Sequence, residues 1–306
     1  MGLTNFPNGV SSFGVPVIGN PSKVITGKVF FVSSSTENSS DSNKGDQVGR
    51  PLATIDAAIN LCVADRGDVI YVMPGHSETI STGGGITADI AGVSIIGLGN
   101  GNNRPRITFG TSTGADLQVD AANVTLENII FIAGVDALVG PIDVDAADCS
   151  IVNCDFRDTS AYKSVAFVVA DANADRLTIS GCKARQLTAG ATACIEFYGA
   201  EDVSIIDCDI VGDYSIANID NTSLAASTGV ATDILIVGNN LDNLNAVDVN
   251  IQLVATTDGT IKNNTCRIAT DSQVTWITAV NDCQLYENYG VNADAETGKL
   301  IGTQSS

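Results

Sequence analysis

The side chains of this sequence best suited to chemistry fall in three short clusters, Asp155-Phe-Arg-Asp158, Lys183-Ala-Arg185 and Asp207-Cys-Asp209. Grouped carboxylates can divide the work of a general acid and a general base. Asp155, Lys183 and Asp209 occupy about the same phase of a repeat, so they are expected to form one outward row. Charges at the corners of a solvated coil also pair with their neighbours, contributing about 0.2–1 kcal/mol per pair. That simpler role is preferred, and no catalytic residue is assigned. His76 is the single histidine, so a Ser-His-Asp or Cys-His arrangement elsewhere and a histidine metal cluster are ruled out. His76-Ser-Glu78 follows Pro74-Gly75 and suits the polar edge of a turn better than a metal site. Gly97-Leu-Gly-Asn-Gly101 lacks phosphate-loop spacing and no helix follows it. No metal and no cofactor is expected.

The elements that position these clusters recur. An apolar-x-apolar-x-turn pattern starts at Val93, Val124, Cys149, Leu177, Val203, Ile234, Gly259 and Cys283, at intervals of 31, 25, 28, 26, 31, 25 and 24 residues. A period in this range marks a solenoid. Further short runs between the copies, such as Ile142-Asp-Val144, Ala193-Cys-Ile-Glu-Phe197 and Val247-Asp-Val-Asn-Ile251, add strands without a second helix. Coils of stacked parallel strands are therefore expected, about 4.8 Å apart. The residue after each turn is Leu98, Ile129, Cys154, Cys182, Cys208, Asn239, Asn264 and Asn288. Equivalent positions stack in such a coil, so three cysteines should run into a ladder of three asparagines, each amide serving its neighbour. Cysteine fits the same place as a small apolar residue.

The chain has 306 residues, 44% hydrophobic and 16% charged, with 35 acidic against 15 basic residues and a net charge of −20. That balance argues against nucleic acid and anionic membranes as partners. No apolar stretch is long enough to span a bilayer. Met1-Gly-Leu-Thr-Asn-Phe-Pro lacks the basic start and apolar run of a secretory signal, so synthesis in a reducing cytosol and free thiols for the eight cysteines are expected. Aromatic content is 5% with one Trp, and no exposed aromatic stripe of the kind that binds sugars is evident.

Four regions are expected: an extended arm at 1–27, a strand-loop-helix-strand cap at 28–90, coils at 91–292, and a tail at 293–306. In the cap, Pro51 to Val63 has Leu52, Ile55, Ala58, Ile59 and Cys62 at helical spacing. The arm is dotted with Leu3, Phe6, Val10, Phe13, Val15, Val17 and Ile18, which suit docking on another surface. Val169, Leu253 and Val254 are placed on outward strand positions, an apolar flank suited to closed association as a homotrimer.

The coil pattern over 93–290, with the entry segment Gly49 to Ile59 and Gly67-Asp-Val-Ile-Tyr-Val-Met-Pro-Gly75, resembles the right-handed parallel β-helix, or pectin-lyase-like, superfamily. The resemblance implies an all-β, single-stranded right-handed parallel β-helix of about eight coils with an N-terminal cap helix and an extended arm. This form is common in bacteriophage virion proteins, and the opening Leu3 to Val15 resembles that of small phage structural proteins. The expectation is a non-enzymatic decoration or cement protein, made in the host cytoplasm and located in the virion. Its arm would dock on the major capsid protein of a phage head. The alternative is a tailspike or tail-fibre depolymerase acting on host surface polysaccharide. Enzymes with this fold use clustered Asp for hydrolysis, or carboxylate-held Ca²⁺ with an Arg or Lys base for elimination. Asp209 would then be the residue to test.

Overall fold

Backbone pairing in this protein runs from coil to coil. The computed structural model describes residues 11–12, 15–16, 25–222, 230–245, 249–254, 257–269, 276–278, 283–292 and 298–301. Three sheets run along one axis. Sheet I holds ten strands from Val29–Val32 to Cys283–Tyr286, and sheet III eight from Ile86–Thr87 to Ile277–Thr278. Sheet II holds ten, from Ser77–Ile80 to Asn288–Asn292 with Gly298–Ile301 antiparallel at its end. The chain visits sheets I, II and III in turn, and every other pairing within them is parallel. The first complete coil is Val69–Val72, Ser77–Ile80 and Ile86–Thr87, and the last is Gly259–Lys262, Thr265–Ile268 and Ile277–Thr278. This is the expected all-β right-handed parallel β-helix of about eight turns, with almost no helix.

The recurring sequence pattern is sheet I and the turn that follows it. Its central apolar residues stack in register, Ile95 on Leu126 on Ile151 on Ile179 on Ile205, and all are buried. Sheet I gives way to sheet II through a two-residue turn whose first residue is left-handed: Asn128 has φ 61°, Asn153 53°, Asp207 52° and Asn263 56°, with glycine at 181 and 238. Asn, Asp and Gly tolerate this conformation best, which is why the repeat carries them there.

The next residue forms the expected ladder. Nδ2 of Asn264 donates to the Ile236 carbonyl and to Asn288 Oδ1, both at 2.9 Å. Asn264 Oδ1 in turn accepts the backbone N–H and the side-chain amide of Asn239, each at 2.9 Å. Below Asn239 the thiols take over: Cys208 Sγ approaches the Ile179 carbonyl at 3.7 Å, Cys182 that of Ile151 at 3.5 Å and Cys154 that of Leu126 at 3.7 Å. Those carbonyls belong to one in-register stack, so cysteine and asparagine serve the same group. Inside the coils, Phe109, Phe131, Phe156 and Phe167 stack with centroids 6.1, 6.0 and 5.4 Å apart.

The cap helix is shorter than its periodicity suggested. It spans Ile55–Ile59, not Pro51 to Val63, and buries Ile55, Ala58 and Ile59. Leu52 keeps the helical phase but pairs as an extended residue: its N–H donates to Phe31 O and its carbonyl accepts from Ser33 N–H, both at 2.9 Å. Thr54 then caps the helix by accepting from Ala57 N–H at 3.3 Å. His76 locks this end. Its Nδ1 accepts Ser34 N–H at 2.9 Å, so Nε2 carries the proton and donates to Glu78 Oε2 at 3.1 Å. The same Glu78 oxygen accepts Ile55 N–H at the start of the helix, at 3.1 Å. Leu253, expected outside, is 2% exposed and part of the core. The alternation Ile251 in, Gln252 out, Leu253 in turns it inward.

Asn264→Ala removes the donor to Ile236 O and strands two Asn239 donors, so a loss of about 1–3 kcal/mol in unfolding free energy is expected. Urea unfolding followed by circular dichroism measures it, and an unchanged midpoint would contradict the ladder's role.

Candidate functional site

Sheet II brings the expected row together. Asp155, Lys183, Asp209 and Asn240 are direct neighbours on four successive strands. The carboxylates are engaged. Asp155 Oδ2 accepts Arg104 Nη2 at 2.8 Å and Arg157 Nη2 at 2.5 Å. Asp209 accepts Arg185 Nη2 at 2.6 Å and Asn240 Nδ2 at 2.9 Å. Burial pushes the Asp209 carboxyl up, but these two donors outweigh it and hold it below the usual range. Asp207 sits on the left-handed turn and Asp209 on the strand, with Cys208 pointing inward between them. Asp158 lies past the end of the Asp155–Arg157 strand, where its Oδ1 accepts Ser164 N–H at 3.3 Å. Burial pushes Asp158 up to about 7, and its Oδ2 has no hydrogen-bond partner among the described residues.

A second acidic site, missed in the sequence, lies on the outer face of sheet III. Gln118, Asp143, Val169, Glu196 and Asp220 follow one another in register on five successive coils. Asp120, Asp145 and Asp171 directly follow the strands ending at Val119, Val144 and Ala170, which are themselves in register. They form a carboxylate column held by Asp145 N–H to Val119 O at 3.0 Å and Asp171 N–H to Val144 O at 3.1 Å. Burial raises Asp143 to about 6, with the charges of Asp171 and Asp116 adding to it. Burial also raises Asp171 to about 6, followed by a hydrogen bond shared with Asp145. Asp120 is raised by burial and then by Asp145 and Asp89. Glu196 accepts the Tyr198 hydroxyl at 2.7 Å.

Beside the column lies a groove of about 540 Å³ with Val139, Val165 and Val169 on its apolar part and Asp116, Asp143 and Glu196 on its polar part. A register shift in the Leu138–Val144 strand, around Gly140 at φ 55°, throws Val139 outward to 58% exposure. The signal was present in the sequence as lone acids within alternating apolar runs, Ile142-Asp-Val144 and Ile195-Glu-Phe197. Among the described residues no group of three or more His, Cys, Asp or Glu is arranged to hold a metal ion.

The arm residues Leu3, Phe6, Val10, Phe13, Val17 and Ile18 lie outside the described residues. The backbone at Val15 is described: Ser11–Ser12 and Val15–Pro16 form an antiparallel pair that joins none of the three sheets.

The acidic face makes stability depend on pH. Asp143 and Asp171 hold protons more tightly folded than unfolded, so their contribution is full below about pH 4 and is lost as pH rises through about 6. Melting temperature is expected to fall between about pH 4 and pH 6 and then level off, with Asp143→Asn flattening the decline. An unchanged slope in Asp143→Asn would refute the assignment.

No protein-family model matches the chain, and no curated protein matches it. Solved structures do. Pectin methylesterase from Aspergillus niger aligns with a TM-score of 0.50 at 16% identity, covering 90% of this chain and 91% of that one. Pectate lyase Pel9A aligns with a TM-score of 0.50 at 12% identity, covering 90% and 80%. Likeness at these identities speaks for the fold alone, and with the three parallel sheets it shows the chain to be a right-handed parallel β-helix.

Proposed function

We propose that this chain is a non-enzymatic structural protein of a bacteriophage virion, a β-helical decoration or cement protein that docks on the major capsid protein of the head. The observation that carries this reading is the separate hairpin at Ser11–Ser12 and Val15–Pro16, which shares no pairing with the rod and lies within the apolar-dotted arm. The charged row on sheet II supports it, because Arg104, Arg157 and Arg185 occupy the carboxylates that acid–base chemistry would need. The net charge of −20 suits a soluble lattice-bound rod without affinity for nucleic acid or anionic membrane. Assembly as a homotrimer is part of the proposal, since closed rings are the usual outcome of self-association.

A second reading, depolymerisation of host surface polysaccharide, is favoured by the sheet III face. Asp143 and Glu196 stand two strands apart there, about 9.5 Å along the stack. That separation suits an inverting acid–base pair. The similar pectin methylesterase and pectate lyase are enzymes by name.

Deleting residues 1–24 is expected to leave the β-sheet circular dichroism intact and abolish attachment to capsids; truncated protein that still decorates them would overturn the docking role. Sedimentation at micromolar concentration should give three chains per particle, and a monomer would refute the trimer. Release of reducing ends from host polysaccharide, lost in Asp143→Asn, would replace the structural reading with the enzymatic one.

A further inference from the structure

The sheet III groove combines two properties that do not usually share one surface without a ligand. Its apolar part is exposed: Val139 is held outward by the shift at Gly140 and lines the groove with Val165 and Val169. Its polar part is of one sign. Asp116, Asp143 and Glu196 line it, no Lys or Arg does so among the described residues, and the Asp120, Asp145 and Asp171 column runs alongside. Lys163, on a neighbouring loop, is already paired with Asp136 at 3.0 Å. Charged rows elsewhere on the rod carry their own counter-charges: Asp155 and Asp209 on sheet II, and Asp148 with Arg176 at 2.6 Å on the sheet III to sheet I corner.

We propose that this groove docks a basic, extended protein segment in which Lys or Arg alternates with apolar residues. Charge complementarity selects the occupant. A cationic side chain placed beside Asp143 and Asp116 relieves the repulsion between these neighbouring carboxylates, and the alternate apolar side chain covers Val139 and Val169. The groove runs from Asp116 to Glu196, three strand spacings or about 14 Å, which accommodates roughly four extended residues. Acidic polysaccharide is repelled by the same carboxylates, and nucleic acid likewise. The inference is independent of the virion reading and of the arm, because it rests on the coils alone.

The test uses the full chain and a fluorescein-labelled Lys-Val-Lys-Val-Lys peptide, with binding read by fluorescence anisotropy. Binding is expected at least tenfold tighter than that of Glu-Val-Glu-Val-Glu or Lys-Gly-Lys-Gly-Lys, and weaker at high salt. Asp116→Asn/Asp143→Asn should lower affinity at least tenfold, while Glu37→Gln/Asp46→Asn, which removes the same charge from exposed residues far along the chain, should not. Circular dichroism checks that both double variants fold; if the groove variant does not, Val139→Ser supplies the same comparison. Equal loss in both variants would show attraction to net charge alone and overturn the proposal. So would absence of binding, or displacement of the peptide by a neutral oligosaccharide.

Discussion

Stacking in register is the constraint on which everything else in this protein depends. Each coil gives its backbone hydrogen bonds to the coils above and below, so every side chain lies against the equivalent residue of its neighbours. A residue type survives at a position only if it tolerates a similar one about 4.8 Å away. Isoleucine on isoleucine buries area along sheet I, phenylalanine on phenylalanine stacks inside, and asparagine on asparagine closes a chain of amide hydrogen bonds. The same rule penalises like charges, and the outside of the rod shows two responses to it.

On sheet II the response is alternation. Asp155, Lys183 and Asp209 change sign from coil to coil, and arginines reach over to satisfy the acids. On sheet III, Asp120, Asp145 and Asp171 stack without such counter-charges among the described residues. Asp145 and Asp171 share a hydrogen bond, and burial together with neighbouring charge keeps Asp143 and Asp171 protonated to an unusually high pH. A fold that neutralises one face and leaves another strained by its own charge has reserved the second for something outside itself. That contrast, more than the fold's relatives, directs attention to sheet III.

The N-terminal end shows how an open solenoid is closed. Sheet I would expose its first strand, so residues 45 and 52 pair with Phe31, and Leu52 forgoes its place in the helix to do so. The short helix then covers the apolar interior, and the neutral His76 ring ties the Ser34 loop, Glu78 and the helix start together. A histidine that looked like a possible ligand is a fastener.

The sequence by itself determined the coil. The periodic turn residues announced the turns at Asn128, Asn153 and Asp207, and the cysteine-to-asparagine succession announced the ladder, because both depend on local conformation and on a single repeated neighbour. It also placed Asp155, Lys183 and Asp209 in one row, since phase within the repeat suffices for that. Only the tertiary structure decided which acids are engaged. Arg104 lies 51 residues from Asp155 yet holds it, a contact set by the width of a loop between sheets. The groove at Val139 arises from a register shift that no periodicity records, and the Asp120, Asp145 and Asp171 column from three strands ending level despite unequal loops. Loop lengths vary from coil to coil while stacking does not, so the strands were legible in one dimension and the surfaces between them were not.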